Sequence, residues 1–300
     1  MNLLITGAWQ QAKEYIPRIE KQHEVRFLQQ EKAELPHEAS WAEGIIGNGI
    51  FLSHPIESFT NLRYIQLTSA GFDRVPMDYV KEHRIKINNA RGVYSIPMAE
   101  YALSGVLALY KKQRFFMENQ KNKRWEKERN LLELYGKKVC ILGCGSVGTE
   151  CAVRFEAMGC TVYGIDPVVR EHRNFFCIYH TADLKYVLGK SDIVIITLPL
   201  TENTRGMFNT DVLGAIKDES VLVNIARGAL IETESLITVL KSGRISAVLD
   251  VFEEEPLSDD SGLWSMENVI ITPHNSFVGE GNGKRMSDVI MRNLEEYSRE

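Results

Sequence analysis

Between an apolar run, Val139 to Leu142, and a helical pattern beginning at Val147 stands Gly143-Cys144-Gly145-Ser146-Val147-Gly148. A second apolar run, Thr161 to Ile165, ends in Asp166, eighteen residues past the last glycine. Strand, glycine turn, helix and strand-end acid in that order constrain the chain to a dinucleotide-binding α/β unit, because each part has its own task. Gly143 permits the tight turn, Gly145 lets the backbone approach a pyrophosphate, and Gly148 lets the helix pack on its strand. The helix N-terminus adds unpaired N–H groups and a positive dipole end. Asp166 can accept hydrogen bonds from both ribose hydroxyls and would repel a 2′-phosphate, which favours NAD over NADP. Arg170 and Arg173 follow closely and could meet such a phosphate instead.

At 300 residues the chain exceeds what one hydrophobic core usually serves, so two domains are expected. The net charge is −5 and the basic residues are scattered, which gives no footprint for nucleic acid. No run approaches membrane-spanning length, and Met1 leads straight into a strand pattern without signal-peptide features; neither membrane association nor secretion is expected. The cysteines Cys140, Cys144, Cys151, Cys160 and Cys177 are odd in number and lack a Cys-x-x-Cys pair. Their apolar contexts predict buried free thiols in a reducing cytoplasm. No zinc site is expected, since His172 and His180 lack ligand spacing.

Short apolar runs alternate with helical patterns throughout, as in α/β units around parallel sheets. In the first third the predicted strands are Leu3–Thr6, Val25–Leu28, Gly44–Ile46, Arg63–Leu67 and Ile85–Asn88. A long helix is predicted from Pro97, with Ser95 as its cap. Later strands are predicted at Val139–Leu142, Thr161–Ile165, Phe175–Ile178, Ile193–Leu198, Val221–Ile225, Ser246–Leu249 and Val269–Ile271. Their continuous Val- and Ile-rich runs suit strands covered on both faces. A final helix is predicted from Lys284 to Tyr297, and its pattern does not say which domain it joins. Tyr94 and Trp125 are expected in packing or in a substrate cleft, and His54 is read as structural.

Polar and turn-forming residues follow the later strands at once: the glycine turn, Asp166, Pro199 with Thr201 and Thr204, Asn224 to Gly228, Asp250, and Thr272-Pro273-His274. In an open parallel sheet all C-terminal strand ends lie along one edge, where ligands bind. In the first domain Gly47-Asn48-Gly49 and Ser69-Ala70-Gly71 likewise follow strands and offer N–H groups to an anion.

With these motifs in this order, the chain resembles the D-2-hydroxyacid dehydrogenase family over nearly its whole length. The resemblance rests on Gly143–Gly148 with Asp166, Leu198-Pro199-Leu200-Thr201 with Thr204, and Asn224-Ile225-Ala226-Arg227-Gly228. It continues through Asp250 to Leu257 and Thr272-Pro273-His274, with Ser69 to Asp73 and Ala99-Glu100 upstream. The family implies a flavodoxin-like catalytic domain from residues 1–95 and 277–300, a Rossmann-type NAD domain from 96–276, and usually a homodimer. It implies cofactor contacts from Gly143, Gly145, Ser146, Val147, Gly148, Asp166, Leu198, Pro199, Thr204, Ala226, Arg227, Asp250 and His274. Substrate contacts would come from Asn48, Ala70, Gly71, Arg227 and His274.

The implied reaction interconverts a small 2-keto acid and a D-2-hydroxy acid. Arg227 suits the substrate anchor because its planar fork binds carboxylate and carbonyl oxygens together. His274 suits the proton donor, and Glu255, chosen among Glu253, Glu254 and Glu255 by family spacing from Asp250, suits its partner. Asp250 resembles a supporting residue. Phe277 either narrows the pocket or turns outward. The rival reading is a catalytically silent NAD(H)-binding sensor or corepressor of the same fold.

Overall fold

The computed structural model describes residues 1–299, and its strands form two all-parallel sheets. Unit 1 is Met1–Tyr94 with the segment from Gly279 onward; unit 2 is Ser95–Val278.

In unit 1, β1 (Asn2–Thr6), β2 (Glu24–Leu28), β3 (Gly44–Gly47), β4 (Tyr64–Leu67) and β5 (Lys86–Asn88) lie in the order β2-β1-β3-β4-β5. Successive strand residues face opposite sides. Leu3 and Ile5 therefore join one buried cluster and Leu4 the other. Covered faces on both sides explain the unbroken apolar runs.

The helix Asn282–Tyr297 belongs to this unit, starting two residues before the predicted Lys284. Its stripe of Met286, Ile290 and Leu294 packs with Leu3, Ile5 and Ile46, each such burial contributing on the order of 2 kcal/mol. Polar contacts fix its register. Trp9 Nε1 donates to Ser287 Oγ at 3.0 Å, Asn293 Nδ2 donates to Gln66 Oε1 at 2.8 Å, and Tyr297 stacks on Tyr64 with centroids 4.4 Å apart.

Unit 2 carries β6 (Lys138–Leu142), β7 (Thr161–Ile165), β8 (Cys177–Tyr179), β9 (Ile193–Ile196), β10 (Val221–Asn224), β11 (Ser246–Leu249) and β12 (Val269–Ile271). Their order is β12-β11-β10-β9-β6-β7-β8, which puts a topological switch point between β6 and β9. Register aligns the strand ends: Leu142 pairs with Ile165 and Ile196, Asn224 with Ile196 and Leu249, and Leu249 with Ile271. The residue after each of these therefore emerges on one edge.

Three expectations need correction. Ser95 is the first residue of the helix Ser95–Tyr110 rather than its cap, and its Oγ is buried without a partner among the described residues. The segment preceding Pro97 already satisfies helical geometry, because the helix begins with Pro97 at its third position. Trp125 is 95% exposed, so of its two expected roles packing is excluded. Strand β8 runs two residues later than predicted at its start, because Phe175 turns into the core. The cysteines are free, with Cys177 half-buried and the other four buried.

Candidate active site

At the switch point of unit 2 the glycine turn has the geometry that its residues allow. Gly143 takes φ +90°, and its N–H donates to Ile165 O at 2.8 Å. A Cβ on Gly148 would lie 2.0 Å from Gly143 O, so only glycine permits the helix Ser146–Ala157 to start there. A Cβ on Gly145 would meet nothing within 4 Å among the described residues. The open side at Gly145 and the helix N-terminus behind it, with Ser146 and Val147 in its first turn, fit a pyrophosphate. Cys144 adds no charge: burial, with Asp166 beside it, pushes its thiol up to about 12.

Asp166 leaves β7 and turns back on this loop. Its Oδ2 accepts from Cys144 N at 2.9 Å and its Oδ1 from Val168 N at 3.0 Å. Arg170 also folds back, with Nη1 3.7 Å from Asp166 Oδ1 and Nη2 donating to Cys144 O at 2.7 Å. Arg173 is exposed and, among the described residues, donates only to neighbouring Asn174.

Across the switch point Thr197 Oγ1 bridges to Leu142 O at 2.9 Å and Gly143 O at 2.8 Å. A threonine ending an apolar strand gave no sequence signal for this tie. Leu198 is buried and Pro199 exposed. Thr204 Oγ1 donates to Pro199 O at 2.7 Å and accepts from Thr201 N at 2.8 Å, so its hydroxyl closes its own loop.

After β10, the side chain of Asn224 braces the turn: it accepts from Ala226 N at 3.1 Å and donates to Arg227 O at 3.0 Å. Arg227 Nη1 donates to Ala226 O at 2.8 Å. A Cβ on Gly228 would lie 1.8 Å from the carbonyl carbon of Phe252, so the Arg227 loop rests directly on the backbone that leads to Glu255.

Asp250 is fully buried, and both its oxygens are engaged. Oδ1 accepts from Thr272 Oγ1 at 2.6 Å and from Asn275 N at 2.8 Å, and Oδ2 accepts from Ser276 N at 2.9 Å. Tyr101 OH hydrogen-bonds to Thr272 Oγ1 in turn, and burial pushes the Tyr101 phenol up. This carboxylate thus staples the loop carrying His274, which sits at φ +52° with its N–H donating to Asp250 O at 2.8 Å. A non-glycine residue in that conformation is held there by its surroundings. The imidazole Nδ1 lies 2.8 Å from Glu255 Oε2, and Glu255 Oε1 accepts from Phe252 N at 3.0 Å. Phe277 sets its ring edge-on to His274, with centroids 6.0 Å apart.

In unit 1 the N–H groups of Ala70 and Gly71, after β4, make no hydrogen bond among the described residues. Those after β3 differ from expectation: Asn48 N and Gly49 N each donate at 2.7 Å to the carboxylate of Glu31, a residue without any sequence signal. His54 Nε2 hydrogen-bonds to Glu31 O and Ala33 O at 3.0 and 3.1 Å, a structural role. Tyr94 OH donates to Thr68 O at 2.6 Å.

A parallel sheet with a glycine turn at its switch point and a carboxylate at the next strand end defines a dinucleotide-binding protein. Residues 103–276 match the NAD binding domain of the D-isomer specific 2-hydroxyacid dehydrogenases, and the chain belongs to that family. It is 32% identical over 221 residues to a D-3-phosphoglycerate dehydrogenase of Archaeoglobus fulgidus, an alignment covering 73% of this chain but only 42% of that protein. A hydroxypyruvate reductase of Thermotoga maritima is 34% identical over 223 residues, 73% of this chain and 72% of the relative. Among solved structures, a D-isomer specific 2-hydroxyacid dehydrogenase family protein from Aeromonas salmonicida superposes with a TM-score of 0.83 at 27% identity, covering 99% of this chain and 95% of the other.

Proposed function

We propose that this protein is an NAD-dependent oxidoreductase that interconverts a 2-keto acid and a D-2-hydroxy acid. The observation that carries the reading is the 2.8 Å pair of His274 Nδ1 and Glu255 Oε2, on a loop stapled by buried Asp250. The nicotinamide, when bound, supplies the hydride in reduction and takes it up in oxidation. His274, its Nδ1 engaged by Glu255, presents Nε2 to give a proton to the carbonyl oxygen or to remove it from the alcohol. Arg227 anchors the substrate carboxylate and stabilises charge developing on the carbonyl oxygen. The N–H groups of Ala70 and Gly71 supply further donors for the carboxylate. Asp250 acts as a positioning residue.

Gly143 to Gly148 hold the pyrophosphate, Leu198, Pro199 and Ala226 wall the nucleotide, and Asp166 takes the ribose hydroxyls. That carboxylate supports NAD over NADP, although Arg170 beside it makes the preference finite. Buried free cysteines support a reducing cytoplasm, and the family supports a homodimer. The test is NADH and NADPH absorbance decay, side by side, across a panel of 2-keto acids. Turnover with NADH that is lost in His274→Ala is expected. A flat trace despite tight NADH binding would favour the silent sensor.

A further inference from the structure

In the strand order of unit 1 the topological switch point, where a ligand is expected, lies between β1 and β3. The chain's own carboxylate sits there. Glu31 Oε1 accepts from Thr6 Oγ1, at the end of β1, at 2.8 Å and from Asn48 N, past the end of β3, at 2.7 Å. Its Oε2 accepts from Gly49 N at 2.7 Å. A Cβ on Gly47 would lie 2.6 Å from Oε1, so the cradle closes tightly on the carboxylate. Two backbone N–H groups and a hydroxyl converging on one anion make an anion nest, and here the anion is built in.

Two further observations concern the same edge. At the end of the adjacent strand, the Ala70 and Gly71 N–H groups are unspent among the described residues, so that position can still take a carboxylate. Beside the filled nest, Asn48 Oδ1 is buried with no partner among the described residues, an acceptor awaiting a donor. Neighbouring strands stand about 4.8 Å apart, roughly the span from the carboxylate to the C3 substituent of a 2-keto acid. Gly47 and Leu67 pair in register, and Thr68 N donates to Gly47 O at 2.9 Å, so the two strand ends are adjacent.

We propose that Glu31 is a specificity-determining residue: a resident anion that steers the substrate carboxylate to Ala70 and Gly71. It makes the neighbouring position, near Asn48, accept a neutral or hydrogen-bond-donating C3 substituent and reject an acidic one. This rests on the 2-keto acid reading given above. A second anionic group there would meet a like charge whose compensating N–H groups are already used.

The test compares kcat/KM for hydroxypyruvate, whose substituent is a hydroxyl, with those for oxaloacetate and 3-phosphohydroxypyruvate. Wild type is expected to favour hydroxypyruvate by about 100-fold, and Glu31→Gln to narrow that ratio about 10-fold, chiefly through KM for the acidic substrates. Glu31→Asp, which keeps the charge, should keep most of the ratio. Independently of activity, Glu31→Ala empties the nest, so formate or acetate should raise the melting temperature of that variant and not of wild type. An unchanged ratio in Glu31→Gln, or no response of Glu31→Ala to formate, overturns the proposal. Should wild type reduce no 2-keto acid, the functional reading falls and the specificity claim with it, while the formate titration still decides whether Glu31 fills an anion nest.

Discussion

The Glu255 carboxylate and the His274 imidazole meet at 2.8 Å although 19 residues separate them, because β12 returns beside β11 and Asp250 pins the returning loop. That contact engages Nδ1 and fixes the orientation of the ring. Glu255→Gln keeps the shape and removes the charge. The kcat of reduction is therefore expected to fall about 10-fold or more, with NADH binding unchanged. Steady-state kinetics beside NADH fluorescence titration check this; an unchanged kcat would assign the partner role to another group.

Asp250 holds three donors from inside the protein, so losing it strands the N–H groups of Asn275 and Ser276. Asp250→Ala is expected to destabilise unit 2 by about 2–4 kcal/mol and to reduce turnover as His274 loses its place. Asp250→Asn, able to accept but not on both sides, should fall between. Denaturant unfolding with parallel kinetics measures both.

Gly145 and Gly148 are expected to separate binding from folding. At Gly148 a methyl group would collide with Gly143 O at 2.0 Å, so Gly148→Ala should lower stability by about 1–3 kcal/mol or more. At Gly145 the methyl group meets nothing within 4 Å among the described residues, so Gly145→Ala should melt as wild type does while binding NADH at least about 10-fold more weakly. Thermal melts and NADH fluorescence titration distinguish the two.

Asp192 gives an acid-stability prediction. Burial works against its charge, but the Lys138 N–H at 2.8 Å and the Lys217 ammonium at 2.5 Å outweigh it and hold the carboxyl below its ordinary value. The folded protein thus binds fewer protons there than the unfolded chain. The stabilisation is complete above the ordinary carboxylate range and is lost as pH falls through the folded value. Lys217→Gln should lower stability at neutral pH by no more than about 1 kcal/mol, since Lys217 is half exposed, with the difference vanishing in acid. Urea melts of both proteins across the acid range measure it.

The glycine turn, most of the strands and the strand-end residues were legible because each is local: a period, a turn residue, an acid at a run's end. Asp250 was legible as a position but not as a staple, since burial and saturation come from the loop it binds. Glu31 was invisible. It lies in a coil where carboxylates are ordinarily solvated, and its partners Thr6, Asn48 and Gly49 come together only through the parallel pairing of β1 with β3. The last helix could not name its unit for a similar reason. Its apolar stripe fits any core, and the choice lies in specific contacts such as Trp9 with Ser287.

The proposed function requires hydride transfer supported by the chain's own Arg227, His274 and Glu255. Its most direct test supplies NADH deuterated on either face of the nicotinamide C4 with hydroxypyruvate or glyoxylate, and follows the label by mass spectrometry and chiral analysis. Deuterium is expected at C2 of the hydroxy acid from one face only, with D configuration where C2 is stereogenic, and transfer is expected to be lost in His274→Ala. Tight NADH binding with no label reaching any 2-keto acid would contradict it.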